Sequence, residues 1–270
     1  MSSPYPLGTT DLELERLDFQ HAVWGGHTRA FFDRLRIGTG ARVLDLGCGT
    51  GAVTYELAER VGTSGSVTAI DESPRWIEHV EREIERRGLR NVSVQRSRIE
   101  DLNLPVETFD VVFARWVFSF LSEPDAVART LARALVPGGV LMIQDYNHEG
   151  ISVFPESDAF RAVVRATRAT YAQAGGDAWV AGRVARIFVN ADLDLVDLQA
   201  NALCGGPSSP VFRWADAFFP HFSGVMEANG TLSATDRAQF LSDWQTRKRD
   251  PDALFFSPLV VDAAGRKRGP

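Results

Sequence analysis

Five short apolar runs, at 43–46, 67–70, 91–95, 109–114 and 140–144, are separated by longer segments whose apolar residues recur at helical spacing. Runs this short read as strands, although in 91–95 only Val92 and Val94 are apolar. The segments between them predict helices. One follows the first strand at 52–60. A second is opened by Ser73 as cap with Pro74 in the first turn and is closed by Gly88. In that helix Glu78 and Glu83 each stand four residues before an arginine, Arg82 and Arg87, as on a solvated face. A third runs from Pro124 to Leu135, and Pro137-Gly138-Gly139 then turns the chain into the fifth strand. Strand and helix in alternation predict an α/β fold built on a mostly parallel sheet. Ahead of it, residues 1–9 are irregular, and an amphipathic helix over 11–24 and a shorter one over 27–36 form a helical cover of residues 1–36. That cover either packs on the core or lies over a ligand with Tyr5, His21 or Trp24 facing it.

The candidate chemistry sits where the first strand ends, in Val43-Leu44-Asp45-Leu46-Gly47-Cys48-Gly49-Thr50-Gly51. Glycines let the backbone turn sharply and a ligand approach it, and the helix that follows presents unpaired N–H groups. The second apolar run ends in Asp71, placed to accept the hydroxyls of a ribose. Gly47, Gly49 and Ala52 also satisfy a dinucleotide-binding pattern, so a NAD-dependent oxidoreductase is one reading. Asp45 favours another, because its charge opposes a pyrophosphate and attracts a sulfonium and an ammonium. Residues 43–51 resemble the first motif of class I S-adenosylmethionine-dependent methyltransferases, and the resemblance runs from about Ala41 to Asp145. Tyr5-Pro6-Leu7-Gly8, Gln20 to Trp24, Gly175 to Trp179 and Phe212-Arg213-Trp214 look like a bacterial ubiquinone-methyltransferase-like, small-molecule branch of it.

The resemblance implies a Rossmann-like seven-stranded sheet with an antiparallel last strand and helices on both faces. It assigns a helix to 179–190, a sixth parallel strand to 194–203 and the last strand to 254–262. The cofactor core is then 37–146, 179–204 and 253–264. Residues 147–178 and 205–252 remain as a mainly helical substrate lid, rich in aromatics at Phe212, Trp214, Phe218, Phe219, Phe222 and Trp244. It also implies S-adenosyl-L-methionine as cofactor, with S-adenosyl-L-homocysteine as product. Asp45, Gly47, Gly49 and Gly51 surround the methionine moiety, Asp71 holds the ribose and Ile99 lies beside the adenine; Cys48 and Glu72 are further cofactor-binding candidates, and Trp76 either touches the adenine edge or packs in the core. Arg98 stands where such enzymes usually carry an aspartate, so Glu100, Asp101 or the backbone near Ile99 takes over the adenine contact. Arg115, at the tip of the fourth strand, binds a carboxylate of cofactor or substrate, or pairs with Asp110 or Glu123. Candidate bases for an acceptor that must lose a proton are Asp145, the best placed, Tyr146 and His148, with His221 and Glu227 in the lid. A carbon acceptor needs no such base, and its cation could rest on aromatic rings. A methyltransferase fold that uses the cofactor for a cyclisation is a further alternative.

Composition narrows the partners. The 270 residues are 44% hydrophobic and 24% charged, with a net charge of −6 and one short basic stretch at 266–268. That profile lacks the basic footprint of a nucleic-acid binder. No apolar run reaches membrane-spanning length, and the first residues carry no signal-peptide pattern. Two cysteines fit a reducing cytoplasm, and no dense His/Asp/Glu cluster suggests a metal. The expected partner is a small-molecule methyl acceptor, met by a monomer or homodimer.

Overall fold

The computed structural model describes residues 10–269. Strands β1 (Arg42–Leu46), β2 (Ser66–Asp71), β3 (Val92–Arg96), β4 (Phe109–Arg115) and β5 (Leu135–Asn147) pair in parallel in the order β3-β2-β1-β4-β5. Strand β10 (Leu259–Lys267) then lies antiparallel between β5 and β7 (Leu193–Asn201), which completes a seven-stranded Rossmann-like sheet. The alternation of side chains along each strand feeds two cores. Leu44, Leu46, Val112, Leu141 and Ile143 pack on one face under α4 (Pro124–Ala134) and α6 (Val184–Asn190). Val43, Val67, Phe113 and Met142 pack on the other with α1 (Asp11–Arg34) and α2 (Ala52–Val61). Helix α3 (Pro74–Arg87) is capped by Ser73, whose side chain accepts from the Trp76 N–H, and ends at Gly88.

Three elements differ from expectation. The two N-terminal helices are one, because Gly25 and Gly26 do not break α1. A glycine costs about 1 kcal/mol in a helix, and burial of Trp24, Phe31 and Phe32 along α1 outweighs it. Helix α4 stops at Ala134 and β5 already starts at Leu135, with the Pro-Gly-Gly turn absorbed as an irregularity in its pairing with β4. The last strand begins at Leu259, not at 254. Residues Leu254–Phe256 form β9, which joins β6 (Ser152–Phe154) and β8 (Cys204–Gly205) in a separate antiparallel sheet. Pro258 has no N–H to donate, and Ser257 turns aside to bond Leu203 through backbone and side chain, so the ladder breaks between the two strands.

The segments that leave the carboxyl ends of β5 and β7 pack on each other. Helices α5 (Asp158–Gln173), α7 (Pro210–Ala228) and α8 (Ala234–Arg247) share a core with the small sheet, centred on Phe160, Phe212, Phe219, Phe240, Trp244 and Phe255. A hydrogen bond and an ion pair hold the charged tail against the sheet: Lys267 donates to the Leu135 carbonyl, and Arg268 pairs with Asp194 at 2.7 Å. Among the described residues no helix is long and apolar enough to cross a membrane.

Candidate active site

All five central strands point their carboxyl ends the same way, and the order reverses between β1 and β4, where ligands of such sheets bind. The cavity found there is lined by the loop after β1, the tips of β2, β4 and β5, the turn at Ile99–Asp101, and side chains of α1, α5 and α7.

In the loop after β1 the three glycines do different work. Gly47 (φ +70°) lies so close to Val117 that an added Cβ would sit 2.5 Å from its Cγ2, so it serves packing. Gly49 (φ +53°) would carry a Cβ into open space and is the one that leaves room for a ligand. Gly51 faces the Tyr55 ring and does not line the cavity. Helix α2 starts at this loop with no side-chain cap, so its first N–H groups remain available. Cys48 lines the cavity but belongs to a small core with Tyr55, Ala69 and Val80, and burial pushes its thiol up.

Two carboxylates flank the loop. Asp45 is 3% exposed and accepts from Thr54 Oγ1 at 2.6 Å; burial pushes it up to about 6, against the pull of that bond and of Arg115. Asp71 accepts from the Gly49 N–H through Oδ2 and from the Ser73 N–H through Oδ1, both at 2.9 Å. The Glu72 N–H acts on it as well, so its first task is to shape the loop, and the remaining acceptor capacity of the carboxylate is open to a ligand. Glu72, Trp76, Ile99 and Glu100 line the cavity beyond it. Arg98 does not: it turns outward toward Glu100 at 3.6 Å and Asp101 at 3.9 Å.

Arg115 lines the cavity with neither of its expected partners, because Asp110 is held by Arg42. It donates to Thr28 Oγ1 at 3.1 Å, meets His21 Nδ1 at 3.1 Å and lies over the Trp116 ring. Burial holds its pKa down to about 10. Among the described residues no carboxylate stands within ion-pair distance of it, which leaves its charge for a ligand. No group of three or more His, Cys, Asp or Glu side chains there is placed to hold a metal.

Residues 37–187 match the family model described as methyltransferase domain, more than half of the chain. The chain belongs to this methyltransferase family. Two curated members are similar in part. Aklanonic acid methyltransferase DauC of Streptomyces sp. (strain C5) is 45% identical over 35% of this chain and 42% of its own length. Demethylmenaquinone methyltransferase of Lactococcus lactis subsp. lactis (strain IL1403) is 29% identical over 51% of this chain and 54% of its own. The chain thus spans about half the length of these relatives or less. A solved putative methyltransferase from Bacillus halodurans C-125 shares the fold, with a TM-score of 0.61 at 20% identity over 88% of this chain and 98% of that one.

In this methyltransferase-family chain the expected bases do not gather. Asp145 is fully buried, and its oxygens accept from the Tyr146 N–H at 2.7 Å and the Ser119 N–H at 3.1 Å. Strand alternation puts it on the face of Ile143, away from the cavity, where it anchors the turn at Phe118–Phe120, and burial pushes it up to about 6. His221 is exposed on α7, off the inward stripe of Ala215, Phe218, Phe219 and Phe222, and Glu227 pairs with Arg237 at 2.8 Å. Tyr146 and His148 do line the cavity, Tyr146 stacked on Trp116 with His148 against its edge. Burial and the nearby Arg168 hold His148 down to about 3, so its ring is neutral, and Nδ1 has no hydrogen-bond partner. Tyr5 lies outside the described residues.

The cavity residues that the sequence did not reveal are Arg16, Leu17 and Gln20 of α1, with Phe120 and Tyr171. Arg16, Leu17 and Gln20 line the cavity, whereas His21 turns to Glu56 and Trp24 packs against Trp214. Their spacing puts 16, 17 and 20 on one helix face, and Glu13 three residues before Arg16 was the available signal. Phe120, Tyr171, Trp214, Phe218 and Phe219 complete an aromatic chamber.

Proposed function

We propose that the chain transfers the methyl group of S-adenosylmethionine to a nucleophile on a small molecule. The observation that carries this reading is the single cavity with a glycine loop and carboxylates at one side and an aromatic chamber at the other. The residues present fit the cofactor. Open space over Gly49 receives the methionine portion, Asp45 attracts its ammonium and sulfonium, and Arg115 its carboxylate. The remaining acceptor capacity of Asp71, with Glu72, takes the ribose hydroxyls. Trp76, Ile99 and Glu100 take the adenine, with no part for Arg98. When bound, S-adenosylmethionine supplies an electrophilic methyl group. What the chain then adds is orientation, which alone can contribute up to roughly 7–11 kcal/mol, and a dry chamber for the acceptor.

His148 is the ionisable group best placed to meet an acceptor's O–H or N–H. A ring held to a pKa of about 3 accepts a hydrogen bond readily and a whole proton poorly, so its role is to orient the nucleophile. The alternative of a nicotinamide enzyme is disfavoured by Asp45, whose charge would face a pyrophosphate. We take the site of action to be the cytoplasm, where the free thiols Cys48 and Cys204 stay reduced.

Calorimetric titration with S-adenosylhomocysteine tests the reading. The expected outcome is micromolar binding that Asp71→Ala weakens about tenfold or more, roughly 1.4 kcal/mol. Binding of NADH with no binding of S-adenosylhomocysteine would overturn it.

A further inference from the structure

We propose that Gln20 selects the methyl acceptor, and that the acceptor is a planar aromatic compound carrying a carbonyl or carboxylate oxygen which the Gln20 amide N–H groups bind. The inference rests on the proposed function and names the substrate class of the same site.

Gln20 is 5% exposed and lines the cavity. Its Oε1 accepts from Arg16 Nη1 at 2.9 Å and from Trp214 Nε1 at 3.0 Å. Guanidinium and indole N–H groups can only donate, so the identity of the amide oxygen is forced by its neighbours and the NH2 lies on the other side. Among the described residues no acceptor stands within hydrogen-bond distance of that NH2. Two donors of a largely buried side chain therefore open into the cavity, where water or a ligand oxygen meets them. The two bonds into Oε1 also polarise the amide and strengthen its N–H groups as donors. Arg16 is in turn fixed by Glu13 through two contacts of 2.7 Å, so the whole assembly is held before any ligand arrives.

The walls around this donor pair are rings. Trp214 and Phe218 stack with an interplanar angle of 8°, Trp116 and Tyr146 with 13°, and Phe120 and Tyr171 with 26°. Flat faces of this kind complement a planar ring system. A ligand that offered an N–H at Gln20 would set donor against donor, so the polar group required there is a hydrogen-bond acceptor, which a carbonyl or carboxylate oxygen in the plane of a flat ring system supplies.

Acetylnaphthalene and isopropenylnaphthalene have nearly the same shape and differ in the carbonyl oxygen, which makes them a matched pair of probes. Their affinities are read from quenching of tryptophan fluorescence in wild type and in Gln20→Met, with and without S-adenosylhomocysteine. Wild type is expected to bind the ketone about tenfold more tightly than the alkene, roughly 1.4 kcal/mol, and Gln20→Met to bring the two within about twofold. Equal affinities in wild type, or no binding of either probe at its solubility limit, overturn the proposal. A ketone preference that survives Gln20→Met overturns the role of Gln20. Should Gln20→Met not fold, the wild-type ratio decides alone. Ketone preference without any binding of S-adenosylhomocysteine would contradict the proposed function while supporting the oxygen-reading chamber, so the two claims fail separately.

Discussion

The wall of the cavity nearest β1 and β2 is backbone and short polar side chains, whereas the wall nearest α5 and α7 is almost entirely rings. On the first, Gly49, Asp45 and Asp71 are set by a tight loop between consecutive strands, and Asp71 holds that loop through the Gly49 N–H. On the second, Gln20 meets Trp214 across 194 positions of sequence, and Tyr171 reaches the same chamber from α5. A local, hydrogen-bonded wall suits a fixed ligand with charges at known places. A wall of packed aromatic side chains can be re-cut by substitution without disturbing the sheet, which suits a ligand that differs among related enzymes.

If the two walls act separately, changes on the loop side should abolish cofactor binding and changes on the chamber side should spare it. The largest effect is expected from Gly49→Val, which puts a side chain into the open space and forces a β-branched residue to φ +53°. Titration should show affinity for S-adenosylhomocysteine reduced by about a hundredfold or more, with a stability loss of about 1–2 kcal/mol. Asp71→Asn comes next. It exchanges a charged acceptor for a neutral one at two backbone N–H groups, and should lower affinity about tenfold together with the melting temperature.

Asp45 gives a pH test. Burial raises its pKa to about 6, and a bound ammonium favours the ionised form. Affinity for S-adenosylhomocysteine should therefore fall as pH drops through 6, by up to about tenfold per unit, and Asp45→Asn should flatten that slope. For stability the sign is opposite. The folded chain holds this proton more tightly than the unfolded one (pKa about 4), so the contribution of Asp45 is full below about pH 4 and is lost as pH rises through 6. Thermal melts of Asp45→Asn should lack this component.

On the chamber side, Phe218→Leu should weaken the binding of an aromatic ketone by about fivefold while moving cofactor affinity less than about twofold. Equal losses of both would mean that the walls are one unit. The smallest effect belongs to Arg98→Ala. Its charge partners are on the surface, where such pairs contribute little, and cofactor titration should not distinguish it from wild type.

What was legible in the sequence follows the same division. The glycine loop, Asp71 and the strands that carry them are encoded by short runs of period and punctuation, and they stand where the residues predict. Asp145 shows the limit of that reasoning. Its position in the chain at the tip of β5 was right, but the face on which it projects depends on register, and register turned it toward Ser119. Arg98 was read as a disturbance of adenine binding because it stands where such enzymes usually carry an aspartate; its side chain lies nearest Glu100 and Asp101 and does not line the cavity. Gln20 falls inside the helix expected over 11–24, but its place at the cavity depends on Trp214, 194 positions away, which no local pattern reveals. The split of 254–262 into β9 and β10 turned on Pro258 and on Ser257, whose partner Leu203 is far away in sequence.

Hydrogen exchange of the whole chain with and without S-adenosylhomocysteine tests the central claim most directly. The account predicts slowed exchange at residues 45–52, 71–76 and 99–101, with α7 and α8 little changed. Protection confined to α5, α7 and α8, with none in the glycine loop, would contradict it.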